Sequence, residues 1–193
     1  MIIGITGGIG SGKSTIARRL EQKYGFTIYD TDSNAKRIIT QDKEVRPAVE
    51  HLLGKDVFDG NNYNTRLAAQ RIFADKDILL RMNSIVHPAV AQDILRHGED
   101  KLLIESALLY DVPAIADICD MTIAVIAPDD IRLKRAMKRD GVSSEEISAR
   151  INKQMSSDKM AKRADIVVNN DGNNTIDELA KHIITEVNKR LTI

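Results

Sequence analysis

The sequence predicts an α/β fold in which helices cover both faces of a parallel sheet. Three observations lead there. Short, nearly unbroken apolar runs recur at residues 2–6, 27–29, 101–105, 121–127 and 165–168, the composition of strands buried on both faces. Helical periodicity fills the intervals, giving the alternation of a βαβ sheet. The first run also passes directly into a glycine-rich turn and then a helix. That places a turn beyond the carboxyl end of a strand, where open parallel sheets bind ligands.

The elements follow in order. After the first strand, the stretch from Ser14 to Tyr24 puts Ile16, Ala17, Leu20 and Tyr24 on one helical face. The second strand ends at Asp30. Residues 33–99 show helical character and no clear strand, and they are too long for an ordinary crossover. They are expected to form a helical subdomain built over the strand ends. The strands at 101–105 and 121–127 follow, the latter stopped by Pro128. Residues 129–163 then hold ten Lys and Arg against six acidic residues, more cations than local acids neutralise. Within them, Ser143 and Glu146 have the spacing of a capping box, with Ile147, Ile151 and Met155 following at i+4 intervals. Thr175 and Glu178 repeat that signature before a last helix. Its apolar stripe is Ile176, Leu179, Ala180, Ile183, Ile184, Val187 and Leu191.

Composition narrows the function. A chain of 193 residues with 42% hydrophobic and 29% charged residues is globular, long enough for one domain and a smaller appendage. With 28 Lys and Arg against 28 Asp and Glu, no overall charge attracts nucleic acid or an anionic membrane. Aromatics at 4% and the absence of Trp argue against base-stacking platforms. The single Cys119 excludes an internal disulfide framework and a cysteine-rich zinc site. No apolar run reaches the ~18 residues of a membrane span, and the start MIIGITGGIG lacks the basic flank of a secretory signal. The expectation is a cytoplasmic protein.

Residues 7–14, GGIGSGKS, fit G-x-x-x-x-G-K-[ST] between a strand and a helix. The spacing has a mechanical reason. Glycines such as Gly8, Gly10 and Gly12 let successive N–H groups curl around a phosphate, joined by Ser11 and Thr15. The helix start adds free donors and positive dipole. Lys13 can reach the β- and γ-phosphates, and the Ser14 hydroxyl can ligate Mg²⁺. A nucleoside triphosphate is the expected ligand. Neither N-K-x-D nor D-x-x-G occurs, which disfavours a guanine-nucleotide switch.

Asp30 and Asp32 lie at the end of the second strand. Asp32 carries two readings. It is either a carboxylate that takes a proton from an attacking hydroxyl beside the terminal phosphate, or a cap for the next helix, a role that Asp30 could equally fill.

GITGGIGSGKST followed by D-x-D-x-x-A-K at residues 30–36 resembles the dephospho-CoA kinase family. Ile85-Val86-His87-Pro88 resembles its I-x-H-P. Glu105-Ser106-Ala107-Leu108-Leu109 falls where the family has an acidic residue followed by P-L-L. The run from Arg132 to Arg139-Asp140, followed by Arg150-x-x-x-Gln154, resembles its lid. Ala164-Asp165 with Asn170-Asp171-Gly172 resembles the close of its nucleotide pocket. The likeness runs from residue 2 to about 190. Two positions depart from the pattern: Ala107 replaces the usual proline, and Lys36 stands where Arg or His is common. Lys36 keeps the cation but not a bidentate fork.

The resemblance implies a P-loop NTPase fold of three layers, with a five-stranded sheet in the order 2-3-1-4-5. Residues 1–32, 100–128 and 164–193 would form the nucleotide-binding core, residues 33–99 the acceptor domain and residues 129–163 the lid. It implies transfer of the γ-phosphoryl of ATP to the ribose 3′-hydroxyl of dephospho-CoA, with Mg²⁺. Asp32 would orient or deprotonate that hydroxyl, and Lys13 would neutralise the moving phosphoryl group. Arg139 first, then Arg135, would supply lid charge, while Arg132, Lys134 and Lys138 would lie at the surface. Ser14 would hold the metal, with Glu105 either assisting through water or pairing with a nearby cation. Lys36 and His87 would face the acceptor, His87 having a helix-breaking role as the alternative. Asn170 would either contact adenine or shape a turn. The expected partners are ATP and dephospho-CoA, without nucleic acid or membrane, in a monomer or small homo-oligomer. A shikimate-type kinase of the same architecture and a non-catalytic ATP sensor are the rivals.

Overall fold

A computed structural model describes residues 1–191. The chain opens with β1 (Ile2–Thr6), α1 (Lys13–Tyr24) and β2 (Thr27–Asp30). An insertion follows, made of α2 (Thr31–Gln41), α3 (Val45–Leu53), β3 (Phe58–Asp59), β4 (Asn62–Tyr63), α4 (Thr65–Ala74) and α5 (Lys76–Leu95). The remainder is β5 (Leu102–Glu105), α6 (Pro113–Ala116), β6 (Met121–Ile126), α7 (Asp129–Asp140), α8 (Ser144–Asn152), α9 (Ser157–Arg163), β7 (Ile166–Asn169) and α10 (Ile176–Leu191). Two compact units result. One holds Met1–Tyr29 and the described residues from Glu99 onward; the other is Asp30–Gly98.

In the first unit five strands form one sheet in the order β2-β5-β1-β6-β7. β1 lies parallel between β5 and β6, with Ile3 opposite Leu103 and Met121, and Ile5 opposite Glu105 and Ile123. The sheet is apolar on both sides because helices cover it. Ile3, Ile5, Leu103, Ile123, Val125, Ile166 and Val168 pack with Ile16, Ala17 and Leu20 of α1 and with Leu179, Ala180, Ile183 and Val187 of α10. Full burial of each large side chain contributes roughly 1.5–3 kcal/mol. The stripe on α10 ends sooner than its periodicity predicts, since Leu191 is exposed.

The Thr175–Glu178 capping box closes in both directions. Thr175 N donates to Glu178 Oε2 at 2.8 Å, and Glu178 N donates to Thr175 Oγ1 at 3.2 Å. The box at α8 makes one arm, Glu146 N to Ser143 Oγ at 3.3 Å. The Glu146 carboxylate instead accepts from Arg150 one turn later.

The insertion has its own core, including Ile38, Val49, Leu53, Val57, Met82, Val86, Val90 and Ile94. It departs in one place from the expectation of no strand, and in another from the helix-breaking alternative for His87. Phe58 pairs antiparallel with Tyr63 and Asp59 with Asn62, their turn containing Gly60 at φ 58°. The ring centroids of Phe58 and Tyr63 lie 5.2 Å apart. Strands of two residues are too short to show alternation. Second, α5 runs unbroken for 20 residues through Pro88. Proline removes one helical hydrogen bond and crowds the preceding turn. Buried Met82, Val86, Val90, Ala91 and Ile94 bracket it on both sides and hold the helix together. His87 therefore does not separate two helices.

Among the described residues no helix is long and apolar enough to cross a membrane.

Candidate phosphate-binding site

The turn between β1 and α1 is shaped by its glycines. Gly10 and Gly12 have φ of 76° and 90°, values L side chains rarely adopt. Neither has room for a side chain. A Cβ on Gly10 would lie 2.2 Å from the Arg132 carbonyl oxygen, and one on Gly12 would lie 2.3 Å from Asn170 Nδ2. Within the turn Ser11 N donates to Gly8 O at 3.0 Å.

Helix α1 starts at Lys13 behind Gly12, with no side-chain cap and no acidic residue in its first turn. Other helices have their starts closed by a side chain: Asp30 caps α2, Asn64 α4, Asp75 α5, Ser143 α8 and Ser156 α9. The N-cap residues of α3, α6 and α7 make no such bond, but α7 carries Asp129 and Asp130 in its first turn, where α1 has no acid. An uncapped N-terminus behind a curled glycine turn offers oriented N–H donors and positive dipole to an external anion.

Two charged side chains meet at this end. The register that sets Glu105 opposite Ile5 brings its carboxylate to the base of the turn. Glu105 is buried; its Oε1 accepts a hydrogen bond from Ser14 Oγ and lies 3.4 Å from Lys13 Nζ. A hydroxyl and a buried carboxylate side by side are hard oxygen donors of the kind Mg²⁺ takes.

Ser11 and Asn170 serve the turn from below. Asn170 Nδ2 donates to Ser11 O at 2.8 Å, and the residue is buried. Asn170 thus braces the loop, and the position following β7 supplies it. The Ser11 hydroxyl is buried against Gly7 and has no hydrogen-bond partner among the described residues. Thr15 is exposed on α1.

The basic segment places its arginines unequally. Arg135 Nη1 donates to the Asn170 carbonyl at 2.9 Å, next to the loop brace. Arg139 is largely exposed and forks onto Asp140 at 2.6 and 3.0 Å. That pairing lowers the Asp140 pKa, with Arg150 adding to it. Arg132, expected at the surface, is 3% exposed and sits against Gly8. The one sequence sign of this was its i,i+4 spacing from Ala136, which is also buried. Lys134 and Lys138 are exposed, as expected.

In the insertion, Asp30 Oδ1 accepts from Ser33 N at 2.6 Å and is the cap of α2. Asp32 is therefore not the cap. It is exposed in the first turn, with exposed Lys36 one turn further along. Half-buried His87 lies mid-way along α5, and burial lowers its pKa. A cleft of about 480 Å³ lies between the end of α2, the turn into α3 and the last turns of α5. Arg37, Lys43 and Arg96 line it together with Asp42, Glu44 and Asp93.

Cys119 plays no part in this chemistry. It is only partly buried, its Sγ donates to Ile115 O at 3.3 Å, and burial together with Asp120 and Asp117 pushes its pKa up to about 12. A thiol held protonated is a poor nucleophile.

Comparison with known proteins agrees with this geometry. The family model for dephospho-CoA kinase matches residues 1–176. A dephospho-CoA kinase from Bacteroides fragilis is 38% identical over 175 residues, covering 88% of this chain and 84% of its own. The crystal structure of a Thermus thermophilus protein is 30% identical with a TM-score of 0.79, covering 98% and 97% of the two chains. A shikimate kinase from Aquifex aeolicus shares the fold at a TM-score of 0.57 and 18% identity, over 100% and 99%. The chain belongs to the dephospho-CoA kinase family, and it is an ATP-using phosphotransferase on the α/β scaffold that P-loop kinases share.

Proposed function

We propose that the chain transfers the γ-phosphoryl group of ATP to the ribose 3′-hydroxyl of dephospho-CoA, the last step of coenzyme A biosynthesis. The observation that carries the reading is the open start of α1, where Lys13 and Ser14 converge on Glu105. The glycine turn and the first-turn N–H groups hold the β- and γ-phosphates. In line attack by the 3′-oxygen forms the new P–O bond as the bond to the β,γ-bridging oxygen breaks, and ADP leaves. Asp32 receives or steers the hydroxyl proton. Lys13 exchanges Glu105 for the phosphate oxygens and offsets their charge. Arg135, and at longer reach Arg139, add charge from the basic segment 129–163, which acts as a lid that excludes competing water.

Ser14 and Glu105 are the residues that would hold Mg²⁺, which would supply positive charge to offset that of the phosphates. Lys36 and His87 serve the acceptor, for which the insertion of residues 33–99 supplies the room. The protein works in the cytoplasm as a monomer or small homo-oligomer, without nucleic acid or membrane partners.

The test is an acceptor panel. Purified protein with ATP and Mg²⁺ is expected to release ADP when dephospho-CoA is added and not with shikimate. Release with shikimate instead would transfer the assignment to the rival kinase. Absence of transfer to every acceptor, with ATP still bound, would make the chain a nucleotide sensor.

A further inference from the structure

Arg132 and Gln154 come from different parts of the basic segment, yet both reach the same loop residue, Ile9. Ile9 N donates to Gln154 Oε1 at 2.8 Å, and Arg132 Nε donates to Ile9 O at 3.1 Å. Arg132 Nη1 is anchored on Asp129 Oδ1 at 2.7 Å, and its Nη2 lies 3.4 Å from Gln154 Oε1. One residue at the tip of the phosphate turn thus has both its N–H and its carbonyl fixed by side chains more than a hundred residues away. The glycines on either side allow this. A Cβ on Gly8 would fall 2.1 Å from Arg132 Nη2, and one on Gly10 would strike the Arg132 backbone.

We infer that Arg132 and Gln154 are positioning residues that pre-form the phosphate turn and tie it to the basic segment. Fixing both polar groups of Ile9 sets the two peptide planes that flank it. The second of these carries the Gly10 N–H, so the orientation of the donors that follow depends on this clamp. A turn already held in its binding shape loses less conformational freedom when phosphate arrives, which appears as nucleotide affinity. The buried guanidinium contributes as a fork, touching Ile9, Asp129 and Gln154 at once. A lysine cannot reproduce that geometry. The inference rests on the phosphate-turn part of the proposed function and not on the identity of the acceptor.

The experiment measures ADP binding directly by calorimetry, with no acceptor present, for Gln154→Ala, Arg132→Met and Arg132→Lys. Exposed Lys134→Ala serves as the control. Loss of one such hydrogen bond should weaken ADP roughly five- to tenfold in Gln154→Ala, and more in Arg132→Met. Arg132→Lys should fall between Arg132→Met and wild type. Amide hydrogen exchange at Ile9 should quicken in Gln154→Ala, while the KM for dephospho-CoA stays unchanged. ADP affinity equal to wild type in Gln154→Ala and Arg132→Lys, whatever happens to the melting temperature, would overturn the inference. Those two variants suffice if Arg132→Met does not fold. Wild-type protein that fails to bind ADP would instead refute the phosphate-turn reading beneath it.

Discussion

Two helices follow parallel strands of the same sheet, and their first turns are finished in opposite ways. α1 begins behind Gly12 with no cap and no acid, so its N–H donors and dipole are left for a ligand. α2 begins behind Asp30, which accepts from Ser33 N, and it carries Asp32 within the same turn. A carboxylate already supplies the anion at the second helix, so a phosphate would meet repulsion there. In the function proposed above, the difference divides the chemistry: the first end would take a triphosphate, and the second would take a hydroxyl that must lose a proton.

The largest way to break the comparison is at the first end. Lys13→Ala removes the cation that lies 3.4 Å from buried Glu105. It leaves the carboxylate with the Ser14 hydroxyl and no lysine to meet the incoming phosphates. Turnover should fall by about 10³–10⁵-fold, the scale of losing a cation that stabilises the transferring phosphoryl group. ATP affinity should fall with it. Steady-state kinetics and ADP calorimetry check both quantities, and unchanged values would contradict the role given to the open helix end.

At the second end, Asp32→Asn keeps the shape of the side chain and removes its basicity. Turnover should drop about 10²–10⁴-fold, the span of general-base removal, with ADP binding intact. This split separates the two helix starts. The first governs nucleotide binding as well as rate, the second rate alone. Near-normal turnover would reduce Asp32 to an acidic residue favouring its own helix dipole.

How much of this was legible in the sequence depends on the range of the interaction. The phosphate turn is a local object: eight consecutive residues, a strand before and a helix after, each fixed by backbone geometry. It reads directly. So does the box at Thr175 and Glu178, where both arms form within four residues. Arg132 does not read, because its place is set by Ile9, 123 positions away. A charged residue on an amphipathic helix looks the same whether it faces solvent or a glycine. Pro88 was misleading for the converse reason. The local rule against proline within a helix is sound, but packing on both sides of it outweighs one missing hydrogen bond. The pairing of Phe58 with Tyr63 was hidden by shortness, since two residues cannot show a period. Asp30 and Asp32 are equivalent as caps in sequence, and the folded chain selects Asp30, which accepts from Ser33 N.

The smallest expected effect separates that pair. Asp30→Ala removes the cap while leaving the Asp30 carbonyl, which accepts from Asn34 Nδ2 at 2.9 Å. Loss of such a cap costs about 0.5–2 kcal/mol, so the denaturant midpoint should fall measurably. Turnover should remain close to wild type, because the α2 backbone still presents Asp32 in its first turn. If Asp30→Ala instead loses as much turnover as Asp32→Asn with stability unaltered, the roles are reversed. Asp30 would then handle the hydroxyl proton. The contrast would survive, but the working carboxylate would lie at the strand end and the cap would have to come from elsewhere.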